Sequence, residues 1–134
     1  METTPDQTAA AILPAYLETA LWASTDENGN PLDSRFTVDD FAPAALDKAR
    51  RDCAAFAAAN REDIDGGPVR CGPDYSPEER AGHDFFLTRN HHGAGFWDGD
   101  WPEESGERLT ASAHSFGVVD VYPGDDGLIY FSPD

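Results

Sequence analysis

Lysine is almost absent from this chain: one, Lys48, stands among 134 residues. The nine cations face 26 carboxylates, and the formal net charge is −17. With no basic patch to release counterions, direct binding to DNA, RNA or an anionic membrane is disfavoured. Cysteine is scarce as well. Cys53 and Cys71 are too few for a disulfide framework, so free thiols are expected, a single bridge being the alternative. No apolar run approaches the ~20 residues of a membrane span. The opening "METTPDQTAAAILPAYLETA" lacks the basic leading segment of a secretory signal and carries Glu2, Asp6 and Glu18 instead.

What is present fits one folded domain over residues 1–134, with 40% hydrophobic residues for a modest core. A small domain stays soluble at a net charge of about 2–8 in magnitude, so this excess exceeds what solubility needs. It also opposes compaction by self-repulsion. The charge is spread along the chain. Residues 1–50 hold nine carboxylates against three cations, 51–100 ten against five, and 101–134 seven against one. That distribution describes an acidic folded surface, not a disordered acidic tail. Three explanations compete: a solvated face without further role, salt adaptation, or carboxylates that stand in for phosphates in the basic groove of a partner.

Hydrophobic spacing organises the chain as an α+β domain of about four helices with a small C-terminal antiparallel hairpin. Residues 1–10 are expected to fray. Ile12, Leu13, Tyr16, Leu17, Ala20 and Leu21 recur at helical spacing, with Pro14 placed in the first turn. "STDENGNPLDS" (24–34) reads as a loop and Arg35 to Val38 as short extended structure. Asp39 and Asp40 are expected to open the longest helix, with Phe41, Ala45, Ala49, Cys53, Phe56 and Ala57 as its apolar stripe and its end near Asn60. Residues 61–75 read as a loop. "SPEE" (76–79) is a capping box that starts a helix reaching about Asn90. A last helix spans about Glu103 to Phe116, capped by Gly117, and "VVDVY" and "LIYF" around "PGDDG" form the hairpin.

The densest stretch is "HDFFLTRNHHGAGFWDGDWPEE" (83–104). A metal-dependent hydrolase using His83, Asp84, His91 and His92 is one alternative, but adjacent loop histidines rarely reach one ion and no HExxH spacing is present. Ser112, His114 and Ser115 lack a GxSxG elbow. No cofactor motif and no metal site is expected. His83 is better read as packing at a helix face, with His91 and His92 near the helix C-terminus. Phe96 and Trp97 are expected to fold back as a lid, while Trp101, between "DGD" and "PEE", is the aromatic expected to stay exposed and enter a partner's pocket.

"HDFFLTRNHHGAGFWD", followed by "LTASAHSFGVVDVYPGDDGLIY", resembles a signature of small acidic proteins encoded by bacteriophages and related mobile elements. The likeness covers residues 75 to 131, and His83, Asp84, Arg89, Asn90, His92, Gly93, Gly95, Trp97 and Asp98 match its motif. His91, where a glycine is common, and the connection "GDWPEESGER" depart from it. The resemblance implies a phage protein acting in the bacterial cytoplasm. With the charge and the missing catalytic signature, it leads to a non-enzymatic inhibitor of a host nucleic-acid-handling defence complex, of anti-CRISPR or antirestriction type. Such an inhibitor would work as an acidic DNA mimic in the basic groove of a protein or ribonucleoprotein. Its expected contacts are Asp39, Asp40, Asp47, Asp98, Asp100, Trp101, Glu103, Glu104 and Glu107. The alternative of another class is a structural or housekeeping protein whose acidic face is merely solvated.

Overall fold

A computed structural model describes residues 5–26, 28–66, 76–91, 95–96 and 101–132. Four helices, α1 (Pro5–Trp22), α2 (Pro43–Gly66), α3 (Pro77–Arg89) and α4 (Glu103–Ser115), precede an antiparallel pair, β1 (Asp120–Pro123) and β2 (Ile129–Ser132). The architecture is the expected α+β one. α1 packs chiefly on α3 and α2, and α4 joins them from the other end of the sequence. Their apolar faces meet in an aromatic core. Phe56 of α2 stacks on Phe85 of α3 at 4.1 Å between centroids, Phe116 meets Phe85 edge-on, and Tyr16 of α1 closes the cluster.

Several local signals act as their chemistry dictates. At the start of α3 the Glu79 N–H donates to Ser76 Oγ (3.1 Å) and the Ser76 N–H donates to Glu79 Oε1 (3.3 Å), a reciprocal cap. α4 ends at Phe116, and Gly117 follows in the left-handed region (φ 76°). The hairpin pairs Val121 with Phe131 and Tyr122 with Tyr130. Two strands alone would be marginal. β2 is held because Ile129 and Phe131 are buried in the core and the Ala42 N–H donates to the Ile129 carbonyl (2.9 Å). Val118 and Val119 lie before the first strand, not in it.

Other elements differ from the spacing-based expectation. α1 begins at Pro5, inside the segment expected to fray, so Pro14 lies in the helix interior. A proline there removes one backbone hydrogen bond. Burial of Ile12 on one side of it and Tyr16, Leu17 and Ala20 on the other holds both halves in register. Asp39 and Asp40 do not open α2. They belong to a separate 3-10 turn, Val38–Asp40, closed by a capping box in which Thr37 N–H donates to Asp40 Oδ2 (2.8 Å). No strand forms over 35–38: the Leu32–Ser34 segment is also a 3-10 turn. At Asn60 the helical dihedrals are interrupted (φ −126°, ψ 21°), but helix resumes to Gly66 instead of stopping. The Asn60 side-chain amide donates to the Phe56 carbonyl (2.9 Å) and to Ser112 Oγ of α4 (2.7 Å), so the kink is braced across the interface.

Arg89, at the end of α3, is the fold's central polar group. Its side chain is 1% exposed. Nε donates to the Gly117 carbonyl (2.9 Å), Nη2 to the Phe116 carbonyl (3.0 Å), and Nη1 to Tyr16 Oη (3.0 Å) and Asp52 Oδ2 (2.8 Å). One guanidinium thereby ties α3 to α1, to α2 and to the end of α4. Burial pushes the Tyr16 hydroxyl well above its ordinary range, an effect the Arg89 charge opposes. Burial likewise raises the Cys53 thiol, which is free and inside the core.

Replacing Arg89 with Met removes the donor to two carbonyls and to the Tyr16 oxygen, and leaves Asp52 with Lys48 alone. Urea denaturation should show a loss of about 3–5 kcal/mol, with Arg89→Lys recovering only part of it because an ammonium cannot fork to these acceptors. Gly82 is where the backbones of α3 and α1 meet, since a Cβ there would lie 2.2 Å from the Ile12 carbonyl oxygen. Gly82→Ala should therefore cost about 1–3 kcal/mol in the same measurement, despite alanine's better helix propensity.

Candidate acidic interaction surface

Within the dense 83–104 stretch, residues 84–89 turn inward. Asp84, Phe85, Phe86, Leu87, Thr88 and Arg89 are all buried in succession. Phe96 folds back as a lid at 1% exposure, held by its N–H donating to Thr88 Oγ1 (3.2 Å) and by its ring against Phe56. Trp101 corrects the expectation of an exposed anchor. It is 3% exposed, packs edge-on against Phe96, and its indole N–H donates to Asp84 Oδ2 (2.8 Å). A buried indole needs an acceptor, and Asp84, which also lies 3.4 Å from Arg80, supplies it. Gly106 lets α4 sit directly on the lid: a Cβ there would be 2.6 Å from the Phe96 carbonyl oxygen. Trp97, Asp98, Asp100 and His92 lie outside the described residues.

The histidines diverge. His83 Nδ1 is 3.0 Å from Thr19 Oγ1. The Thr19 hydroxyl already donates to the Ala15 carbonyl (2.7 Å), so Nδ1 carries the proton and Thr19 accepts it. His91, at the exposed end of α3, stacks on His114 with centroids 4.5 Å apart. Asp84 is committed to Trp101. Among the described residues no three His, Cys, Asp or Glu side chains converge on a point that could hold a metal ion. Ser112 accepts from Asn60, and Ser115 donates to the Ser112 carbonyl, which places both in helix bracing.

The surface carries a division of labour between the two acids. Among the described residues every ion pair takes aspartate as its acid: Arg35 with Asp26, Lys48 and Arg89 with Asp52, Arg50 with Asp47, Arg61 with Asp65, Arg80 with Asp84, Arg108 with Asp63. Glutamates are left over. Glu103, Glu104 and Glu107 all stand exposed on α4, and Glu62 is exposed on the last turns of α2. Between these elements Arg108 forks onto Asp63, with Nη2 to Oδ1 at 2.7 Å and Nε to Oδ2 at 2.9 Å. Glu104 and Glu62 are both close enough to that guanidinium to raise its pKa further. Glu62, Asp63 and Glu104 thus gather around Arg108 where α2 meets α4, and Glu103 and Glu107 stand exposed on the same α4.

Of the other expected contacts, Asp39 is exposed, while Asp40 is half-buried and spent on its cap. Asp47 is exposed but 3.6 Å from Arg50. Spacing reads residues 61–75 as a loop, whereas Glu62, Asp63 and Asp65 lie on the last turns of α2. The only hint was the Arg61–Asp65 spacing, four residues apart as in a helical ion pair. Comparison with protein-family models, curated proteins and solved structures returned no match.

The hydrogen bonds from Arg108 hold the Asp63 carboxyl below the usual aspartate range, against a smaller opposing effect of burial. Stability from this pair is thus complete above the ordinary aspartate pKa and is lost as pH falls through the lowered one. An Asp63→Asn variant should show a flatter acid limb in a pH series of thermal melts. Trp101→Phe should cost about 1–3 kcal/mol, because it removes the donor to a buried carboxylate while keeping most of the ring volume.

Proposed function

We propose that the protein is a non-enzymatic inhibitor that occupies the basic nucleic-acid-binding surface of a host defence complex, of anti-CRISPR or antirestriction type. One observation carries this reading: after the internal ion pairs are made, the α2–α4 face retains Glu62, Glu103, Glu104 and Glu107, exposed and outside any ion pair among the described residues. Glu103 and Glu107 lie one helical turn apart, about 6 Å along the axis. A rigid helix holds that spacing without the entropy cost of ordering a tail. The likeness of residues 75–131 to small acidic phage proteins supplies the biological setting, and Asp39, Asp98 and Asp100 remain candidate contacts. Trp101 is withdrawn from that set, and Asp40 and Asp47 are secondary to it.

The charge would act mainly on encounter. A basic groove and a protein at −17 attract over about a Debye length, which raises the association rate more than the final affinity. No helix among the described residues is long and apolar enough to cross a membrane.

The reading is tested with DNA cleavage by CRISPR effector complexes and restriction endonucleases. Added protein should inhibit at least one, compete with its DNA, and weaken by about tenfold or more between low and physiological salt. Triple reversal at Glu103, Glu104 and Glu107 to Lys should abolish inhibition, whereas Asp47→Lys should change it by less than about threefold. Inhibition that survives the triple reversal, or its absence across the panel, rules the proposal out. Strong stabilisation by molar salt without any inhibition would favour a solvated acidic face instead.

A further inference from the structure

A second acidic feature involves neither α2 nor α4. A cleft of about 610 Å³ opens between the C-terminal half of α1 and residues 33–38, with His83 of α3 also lining it. Its walls include Trp22, Phe36, Glu18 and Asp33. Trp22 is 57% exposed, the most exposed large apolar side chain among the described residues. Its ring lies 5.7 Å from that of His83, which steadies the indole from one side. Glu18 and Asp33 are exposed, and among the described residues neither takes part in an ion pair or a side-chain hydrogen bond.

Three independent features favour a cation here. The two carboxylates are uncompensated. The mouth lies at the negative end of α1, whose last turn holds no basic residue. The aromatic walls offer ring faces, on which a cation is attracted by the quadrupole. The chain itself provides an internal illustration: Arg35 places its guanidinium carbon 5.6 Å from the centre of the Phe36 ring. Its carboxylate partner is Asp26, at 3.8 Å, so Glu18 and Asp33 remain available. The Asp26 carboxyl is in turn held low by the backbone N–H groups of Asn30 and Asn28, which anchor the neighbouring loop.

The chemistry selects among cations. A phosphate or other anion would meet two carboxylates and be repelled. A purely apolar ligand would desolvate them without a partner, at a cost its burial would have to exceed. An ammonium is a compact, strongly hydrated point charge. A guanidinium is planar, weakly hydrated and forked, so it can lie flat on an indole while its edge reaches a carboxylate. We propose that this cleft receives an arginine side chain presented by a basic protein partner, its guanidinium against Trp22 and its N–H groups directed at Glu18 and Asp33. The partner's basic character rests on the functional reading above; the arginine-selective cleft is read independently, from the geometry around Trp22.

The full chain, isotope-labelled, is titrated with acetyl-Gly-Arg-Gly amide at physiological ionic strength and followed by NMR, in parallel with the lysine and citrulline peptides. The expected result is a saturable shift of the Trp22 indole N–H and of the Glu18 and Asp33 amides with the arginine peptide. Binding should weaken about fivefold or more with lysine and vanish with citrulline. Trp22→Leu should weaken it about fivefold and the pair Glu18→Gln and Asp33→Asn about tenfold, with thermal midpoints unchanged because all three side chains are exposed. Equal binding of arginine and lysine, shifts centred on α4, no binding at all, or full binding by Trp22→Leu would each overturn the assignment. Arginine-selective binding without nuclease inhibition keeps the cleft and removes the functional reading. Nuclease inhibition without an arginine-selective shift at Trp22 does the reverse.

Discussion

A single buried guanidinium is the constraint around which this small domain is arranged. Arg89 cannot be left without acceptors, because an unpaired charge inside a protein costs several kcal/mol. The acceptors it uses come from three other helices: Tyr16 of α1, Asp52 of α2 and the carbonyls that end α4. The Phe85 and Phe116 rings flank it at 5.5 and 5.7 Å. Satisfying this one group fixes where α4 must stop and which faces of α1 and α2 must turn inward. The polar network thus sets the mutual placement that hydrophobic contact alone leaves loosely specified.

The same demand explains why residues 84–89, in the richest stretch of sequence, are interior. Asp84 and Arg89 lie on α3 among Phe85, Phe86 and Leu87, and each is matched by a polar group brought from a distance, the Trp101 indole in one case and Asp52 in the other. Residues that look like chemistry when read in a row serve as joints between elements. Among the described residues, the glutamates outside any ion pair and the exposed Trp22 lie elsewhere on the surface.

Charge is divided in a way that serves both ends. Aspartates, with short side chains held near the backbone, neutralise the few arginines and hold the fold together. Glutamates reach further into solvent, and those of α4 take part in no ion pair among the described residues. A strongly negative domain resists its own compaction, and bracing through Arg89, Asn60 and the Asp63–Arg108 bridge opposes that strain locally. An excess of negative charge held on rigid helices differs physically from an acidic tail. The carboxylates keep fixed spacings, so the potential they create is shaped and not averaged.

The sequence by itself determined whatever depends on a few neighbouring residues. The Ser76–Glu79 cap, the extent of α4, the Gly117 stop and the paired strands about "PGDDG" rest on hydrogen bonds and dihedral preferences that close within one or two turns. The stripe of α2 from Ala45 to Ala57 was legible for the same reason, since helical period alone sorts buried from exposed. Only the tertiary structure decided the passage of α1 through Pro14, the continuation of α2 beyond Asn60 and the burial of Trp101. Each of these depends on a group distant in sequence or on a packed face that spans several turns: Ser112 braces Asn60, Ile12 and Tyr16 press α1 onto α3, and Asp84 receives the Trp101 indole from 17 residues away. Burial is a property of the assembled core. A tryptophan among aspartates and glutamates carries no local sign of the Asp84 carboxylate that will receive its proton donor.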